Sequence, residues 1–484
     1  MKGYSSFIKW IFYTVISLTG HALTMGQQNN TLFFMHSIPE ANYVNPAVQI
    51  DCGVFIGLPL VSSFHANFAN SGFVLNKAIT LYTDGTVARK DNLRVGNFPS
   101  LKYFLSEIHS VLFAAGVKKG NNYYNFTITE KNNTHLGYTA DLVSFIYRGS
   151  EEFEGQAVAL KGTTAMLNHL REYAFGMSRI FNENLTVGVK VKLLFGKFNF
   201  TTGNSSFGVF IEEGTQDILF DLDGGFNSSL PWALQSQGFS AYRFEETYPA
   251  TWLSRMMNRN NPGVALDIGF IYRYNNLWTF SGSLLDAGLI WYRSNLSNYG
   301  LQGNERYQGP FGQGRITGDY LWNVFDDWNF NMDESLSADP YVFALDPRLY
   351  LGASRQLNEK YKVNFLLYNR LLPGKLQTGA TLSVTTDPEK TWKGSASWSY
   401  MNNSLFNLGL GVMYGKNPVQ LYAVTDNIFG FILPLSTKNV NLRIGINLIL
   451  GCRDKPDRLN VNDDGCSWMK SERTRRLRKE KLGK

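Results

Sequence analysis

Between Val440 and Leu450 every second residue is apolar: Val440, Leu442, Ile444, Ile446, Leu448 and Leu450. Asn441, Arg443, Gly445, Asn447 and Ile449 lie between them. A repeat of two belongs to a strand with one face for hydrocarbon and one for water, not to a helix. The same alternation runs through Leu185 to Leu193, with Thr186, Gly188, Lys190 and Lys192 in the polar row. It recurs from Phe406 to Tyr414, from Trp392 to Tyr400, and from Val264 to Arg273. A soluble β-sandwich also alternates, but its solvent face would carry many Lys, Glu and Thr. Here the polar rows are mostly Gly, Ser and Asn, small enough for a crowded lumen, and the apolar rows end in Trp and Tyr as membrane girdles do. The expected fold is all-β, a transmembrane antiparallel β-barrel.

Composition agrees. The chain holds 35 Phe, 25 Tyr, 10 Trp and 45 Gly, yet its mean hydropathy is only -0.19. A wall that is apolar outside and wet inside gives both features. No run of 18 apolar residues is present, so no transmembrane helix is expected. At 484 residues the chain is long for one domain, but nothing between about 50 and 450 reads as a linker. The wall counts to 14 strands, plus a hairpin near 204–222 that extends outward; if it joins the wall, the count is 16. Tight turns are expected at Lys119–Asn122, Asn182–Asn184, Asn275-Asn276, Asn358-Glu359 and Lys416-Asn417. Long loops are expected near 71–105, 131–165, 223–262 and 293–340, with short helices at 139–148 and 161–170. Short turns face the periplasm in outer-membrane barrels, which puts both termini there.

The ends differ from the middle. Lys2 and Lys9 precede the apolar run from Trp10 to Leu18, the order of a signal peptide over 1–26, with cleavage between Ala22 and Gln27. Residues 27–50 are expected at or in the periplasmic mouth as a plug, 51–451 as the barrel, and 452–484 as a basic periplasmic tail. From Arg453 to Lys484 there are 11 Lys/Arg against 6 Asp/Glu, so the tail carries +5 of the formal net charge of +7. The basic character is therefore not a nucleic-acid-binding face. The block Arg473, Arg475, Arg476, Arg478, Lys479 and Lys481 is either a solvated end or a contact for an anionic partner, lipid phosphate or periplasmic protein. Of three cysteines, Cys452 and Cys466 can pair, leaving Cys52 free.

Three stretches carry a resemblance. The start, QQNNTLFFMHSIPEANYVNPAVQIDCGVFIGLP, contains Asn45-Pro46-Ala47. The middle, NPGVALDIGFIYRYNNLWTFSGSLLDAGLIWY, has an Asp-x-Gly strand, a short turn and a Leu-Asp-x-Gly strand. The end, GLGVMYGKNPVQLYAVTDNIFGFILPLSTKNVNLRIGINLILGC, looks like three closing strands. Together they resemble an uncharacterised outer-membrane barrel family of the Bacteroidota, a domain of unknown function related to the FadL and PorV/PorP-type barrels. The resemblance implies location and fold, not a substrate. Against it, the chain does not end on an aromatic residue of the last strand.

Little in the sequence reads as catalysis. His21, His36, His65, His109, His135 and His169 form no metal-ligand spacing, and no GxSxG elbow, Walker loop or CxxC is present. His65 alternates onto the lumen face. Asn460 to Gly465 resembles half of a calcium loop, but Ser471 stands where the bidentate Glu belongs and Glu472 is one late. No enzyme and no cofactor are expected. By alternation the charges facing the lumen are Lys190, Lys192, Asp267, Arg273, Asp286, Lys362, Lys393 and Arg443, either a network that fills the interior or a pore lining. Two functions follow. One is a structural or assembly partner of an envelope or secretion complex, docking through its loops or tail. The other is FadL-like passage of a small hydrophobic molecule. A filled lumen with an ordered tail favours the first, and a continuous apolar tunnel with a lateral wall opening favours the second.

Overall fold

In the computed structural model the described residues are 29–50, 52–59, 61–81, 87–89, 101–203, 206–215, 217–230, 234–235, 243–244, 257–307, 333–372, 375–386, 391–401, 404–415 and 418–452. The signal peptide with its cleavage site, Cys466, the segment Asn460 to Gly465 and the basic block lie outside them.

The alternating segments form one closed antiparallel barrel of 14 strands. The first, β1, is in two pieces, Cys52–Gly57 and Phe64–Asn70. Then follow β2 (Lys102–Lys119), β3 (Asn122–Tyr138), β4 (Thr164–Ile180), β5 (Leu185–Thr202), β6 (Pro262–Arg273), β7 (Trp278–Tyr292) and β8 (Arg348–Gln356). The remainder are β9 (Tyr361–Leu372), β10 (Lys375–Thr386), β11 (Trp392–Met401), β12 (Ser404–Tyr414), β13 (Val419–Thr425) and β14 (Asn439–Cys452). Closure is made by β1, which pairs with β14 on one edge and β2 on the other. A closed ladder leaves no backbone edge toward lipid, the condition for a sheet to cross a bilayer. No helix among the described residues is long and apolar enough to cross a membrane.

The faces follow the sequence pattern. Val189, Val191 and Leu193 are exposed on the outside while Lys190 and Lys192 are buried inside. Near the short-turn end Tyr124, Tyr274, Trp278, Tyr361, Trp392 and Tyr414 stay exposed and form an aromatic girdle. Three of the turns there share one device. Asn182, Asn275 and Asn358 each accept two backbone N–H bonds from the two or three residues that follow, fixing the reversal locally.

Three expectations need correction, and one is met. The 204–222 hairpin extends outward and stays out of the wall: Ser206–Ile211 and Ile218–Ser229 continue β5 outward. They pair with Ala157–Ala159 and Asn298–Tyr307 around a separate core of Phe145, Phe153, Val158, Val209, Ile211, Ile218 and Phe220. A helix does form at Ala140–Arg148, but residues expected to be helical at 161–170 begin β4 instead. There the outward face turns polar, with His169 and Arg171 both meeting Glu130 on β3, so the strand lacks an apolar row. Long loops also do not alternate with short turns throughout, since only two residues separate β9 from β10 and β11 from β12. Finally, Cys52 is not free. It is disulfide-bonded, and the residue opposite it across the closing seam is Cys452.

Candidate functional site

The lumen is filled in two layers. The lower, at the short-turn end, is the N-terminal segment 29–50. Leu32, Phe33, Ile38 and Ala41 have no exposed surface, and they pack on Tyr350, Tyr368, Leu366, Met413 and Tyr422 of the wall. Wall glycines form the seat. A Cβ on Gly188 would collide with the Pro46 carbonyl, on Gly269 with the Asn45 side chain, on Gly409 with Thr31 and on Gly411 with Met35. Lysine also helps: Lys190 Nζ donates to the Asn42 carbonyl at 3.1 Å. Ser283 Oγ donates to the Val44 carbonyl at 2.5 Å, and Asn30 Nδ2 to Thr381 Oγ1 at 2.9 Å. Residues expected at or in the mouth of the barrel are thus a buried plug within it.

The upper layer is ionic. Lys192 Nζ lies 2.7 Å from Asp267 and 2.6 Å from Asp286. Both carboxylates reach one ammonium because β7 bulges opposite Asp267. Leu266 pairs with Ala287 and Ile268 with Leu284, leaving Asp286 in the left-handed region at φ 56 with its N–H on Asp267 Oδ1 at 2.8 Å. The Asp-x-Gly and Leu-Asp-x-Gly strands of the middle stretch are therefore the two halves of one lysine site. Asp286 also binds Arg348, and Lys131 holds Glu172 at 2.6 Å. Beside them Arg370 bridges Glu107 at 2.9 Å and Asp346 at 2.8 Å. Shared contacts of this sort offset the cost of burying charge only as a set.

The eight expected lumen charges divide. Lys190, Lys192, Asp267, Asp286 and Arg443 face the lumen and are buried. Arg273 does not: it ends β6 exposed at the short-turn rim. Lys362 and Lys393, at the same end, are half-buried and outside the ionic layer. The reading missed Glu107, Lys131, Glu172, Asp346, Arg348 and Arg370. Glu107 and Lys131 sit in rows where polar residues occupy both faces, so alternation did not single them out. His65 and His109 do face the lumen, with rings 5.6 Å apart. No cluster of metal-ligating side chains occurs among the described residues.

Two cavities in the lumen, between or beside the two layers, measure about 30 and 50 Å³. Those are water-sized spaces, far below the few hundred Å³ of an ordinary ligand pocket.

The wall itself is incomplete in one place. The short β13 pairs with β12 only at residues 410–414 and with β14 only at residues 443–448. Past Thr425 the chain leaves the ladder for the short helix Ile428–Ile432, which fills the space between residues 404–409 and 439–442. Phe429, Phe431, Ile432 and Leu433 are exposed on the outside. Inside, Asn439 Nδ2 bridges to Asn407 Oδ1 at 3.1 Å and Asn427 Nδ2 reaches the Asn439 carbonyl at 2.9 Å. Asp426 joins this closure to the plug, accepting the Thr31 N–H at 2.7 Å and the Asn30 N–H at 3.3 Å.

Among solved structures the chain is similar to the Ralstonia pickettii toluene transporter TbuX, at 11% identity over 85% of this chain and 94% of that one, TM-score 0.41. It is similar to a Pseudomonas aeruginosa FadL homologue at 11% identity over 88% and 98%, TM-score 0.38. The P. putida toluene transporter TodX is 10% identical over 84% and 92%, TM-score 0.34. No curated protein matches the chain by sequence. Residues 46–426 match the model of DUF5723, a family of unknown function, and the chain belongs to that family.

Proposed function

We propose that this protein is a plugged outer-membrane barrel that serves as a structural or assembly partner of another envelope component. The short-turn end, with both termini, faces the periplasm. The observation that carries the reading is the occupied lumen: a buried N-terminal segment below and a buried ion network above, with cavities of about 30 and 50 Å³ beside them. A barrel so occupied has its outer sheet and its tail left as the parts that meet something else. The test is purification in mild detergent with and without residues 470–484. The intact protein should retain a partner that the truncated, still inserted barrel loses, and raised salt should mimic the loss, since exposed charges are screened within about 10 Å at 0.1 M. An unchanged set of copurifying species after truncation counts against docking through the tail.

A second reading, passage of a small hydrophobic molecule, is favoured by the wall closure at Ile428–Ile432 and its link to the plug through Asp426. A segment that is apolar outside and held by amides inside is a place where a wall can part without breaking strand pairing. Cross-linking position 407 to position 439 through paired cysteines should leave partner binding intact and abolish uptake if this reading holds.

A further inference from the structure

Between the plug and the ionic layer lies the cavity of about 50 Å³, and its lining is unevenly charged. Lys131, Lys190, Lys192, Arg348 and Arg443 line it, against Glu172 and Asp267. Both carboxylates are taken, Glu172 by Lys131 at 2.6 Å and Asp267 by Lys192 at 2.7 Å, while Arg348 is held by Asp286. Lys190 and Arg443 are each more than nine-tenths buried, and among the described residues neither has a carboxylate in ion-pair contact. Lys190 bonds the Asn42 carbonyl; Arg443 bonds Asn29 Oδ1 at 2.9 Å and Ser63 Oγ at 2.8 Å. Neutral acceptors satisfy hydrogen bonds but leave the charge. Both cations flank one ring, Lys190 Nζ 5.4 Å and the Arg443 guanidinium 5.9 Å from the centre of Tyr43. The Tyr43 hydroxyl is buried and meets no acceptor among the described residues. Thr127 and Thr129 add two more hydroxyls to the lining.

Two buried cations with no carboxylate in ion-pair contact, facing a space lined by five cationic side chains against two carboxylates, are stabilised by an anion that offsets their desolvation. We propose that this cavity binds a small inorganic monovalent anion of chloride size, held by Lys190 and the Tyr43 hydroxyl and balanced by Arg443. The enclosed volume excludes a nucleotide or a fatty acyl chain, which fixes the class. Because Lys190 and Arg443 belong to the wall while Tyr43, Asn42 and Asn29 belong to the plug, such an ion ties one to the other.

The test is anomalous diffraction from crystals of the full chain grown in bromide. A bromide peak should lie beside Lys190 Nζ and the Tyr43 hydroxyl in the native protein and vanish in Lys190→Gln. Bromide at surface sites with only water in this cavity overturns the proposal, as does a peak of equal height in Lys190→Gln. Should that variant not fold, the native protein is heated in chloride and in gluconate at equal ionic strength, with Tyr43→Phe beside it. A midpoint several degrees higher in chloride, reduced in Tyr43→Phe, supports the site, and equal shifts in both proteins overturn it.

Discussion

The two layers inside the barrel are built in opposite ways. The lower one is borrowed: residues 29–50 are a separate stretch of chain, seated over wall glycines by backbone contact, apolar packing and mainly neutral hydrogen bonds. The upper one is the wall's own, made of side chains that project from β2 to β9 and close over one another as ion pairs. A borrowed layer can leave without breaking a strand pairing, whereas an intrinsic one cannot be removed without leaving charges buried and unpaired. The lower layer is therefore the part able to change state, and the upper layer the part that holds the barrel's shape.

The largest effect that separates them should come from Asp286→Ala. It removes the carboxylate shared by Lys192 and Arg348 and should cost about 3–5 kcal/mol of barrel stability, measured by urea unfolding in lipid vesicles. A loss no greater than that of Ser397→Ala, a lumen hydroxyl bonded to Thr31 of the plug, would erase the distinction. Next in size, Val189→Arg places a charge in the lipid-facing row and should cost about 2–4 kcal/mol if it lies near the bilayer midplane. Its neighbour Lys190→Ser gives up one bond to the plug and should cost the wall much less. Equal losses at the two positions would mean the inside and outside rows are wrongly assigned.

How much of this was legible in the sequence depends on which face a residue lines. Where the outer row meets hydrocarbon, as at Val189 or Leu448, alternation gave strand, face and the buried Lys190, Lys192, Asp267 and Arg443 directly. Higher on β3 and β4 both faces are polar, with Glu130, His169 and Arg171 outside and Lys131 and Glu172 inside, so the period disappears and the strands read as loop. Asp286 fell on the right face, but its sharing of Lys192 depends on a bulge that spacing does not reveal. The glycine seat was equally hidden, because Gly188 and Gly409 look like ordinary small lumen residues until the plug lies against them. Arg273 failed for a simpler reason: correct parity at a strand's end still opens onto water.

The borrowed layer can be tested directly. Gly188→Val drives a side chain into the Pro46 carbonyl, and overpacking of that sort costs about 1–3 kcal/mol. The expected result is a barrel that still inserts and shows heat-modifiable migration while protease cuts between residues 29 and 50. If the barrel itself fails to form, the plug is part of the fold and not a guest in it.

The smallest effect is a pH dependence of plug docking, and it comes from two groups on the plug. Burial raises the Glu40 carboxyl from about 4.5 to about 8, only partly opposed by the hydrogen bond from Asn447. Its folded value lies above its unfolded one, so its contribution is complete below pH 4.5 and is lost as pH rises through about 8. Burial, with Lys362 adding to it, lowers His36 from 6.5 to about 4, so its contribution is complete above pH 6.5 and is lost as pH falls through about 4. Between 4.5 and 6.5 the two slopes oppose each other, and above 6.5 Glu40 alone of the two still acts. Protease access to residues 29–50 should therefore increase from pH 6.5 to 9 in the native protein, and Glu40→Gln, which keeps the acceptor for Asn447 but cannot ionise, should flatten that rise. A variant that loosens with alkali as the native chain does would show that the plug is held by something other than a neutral Glu40.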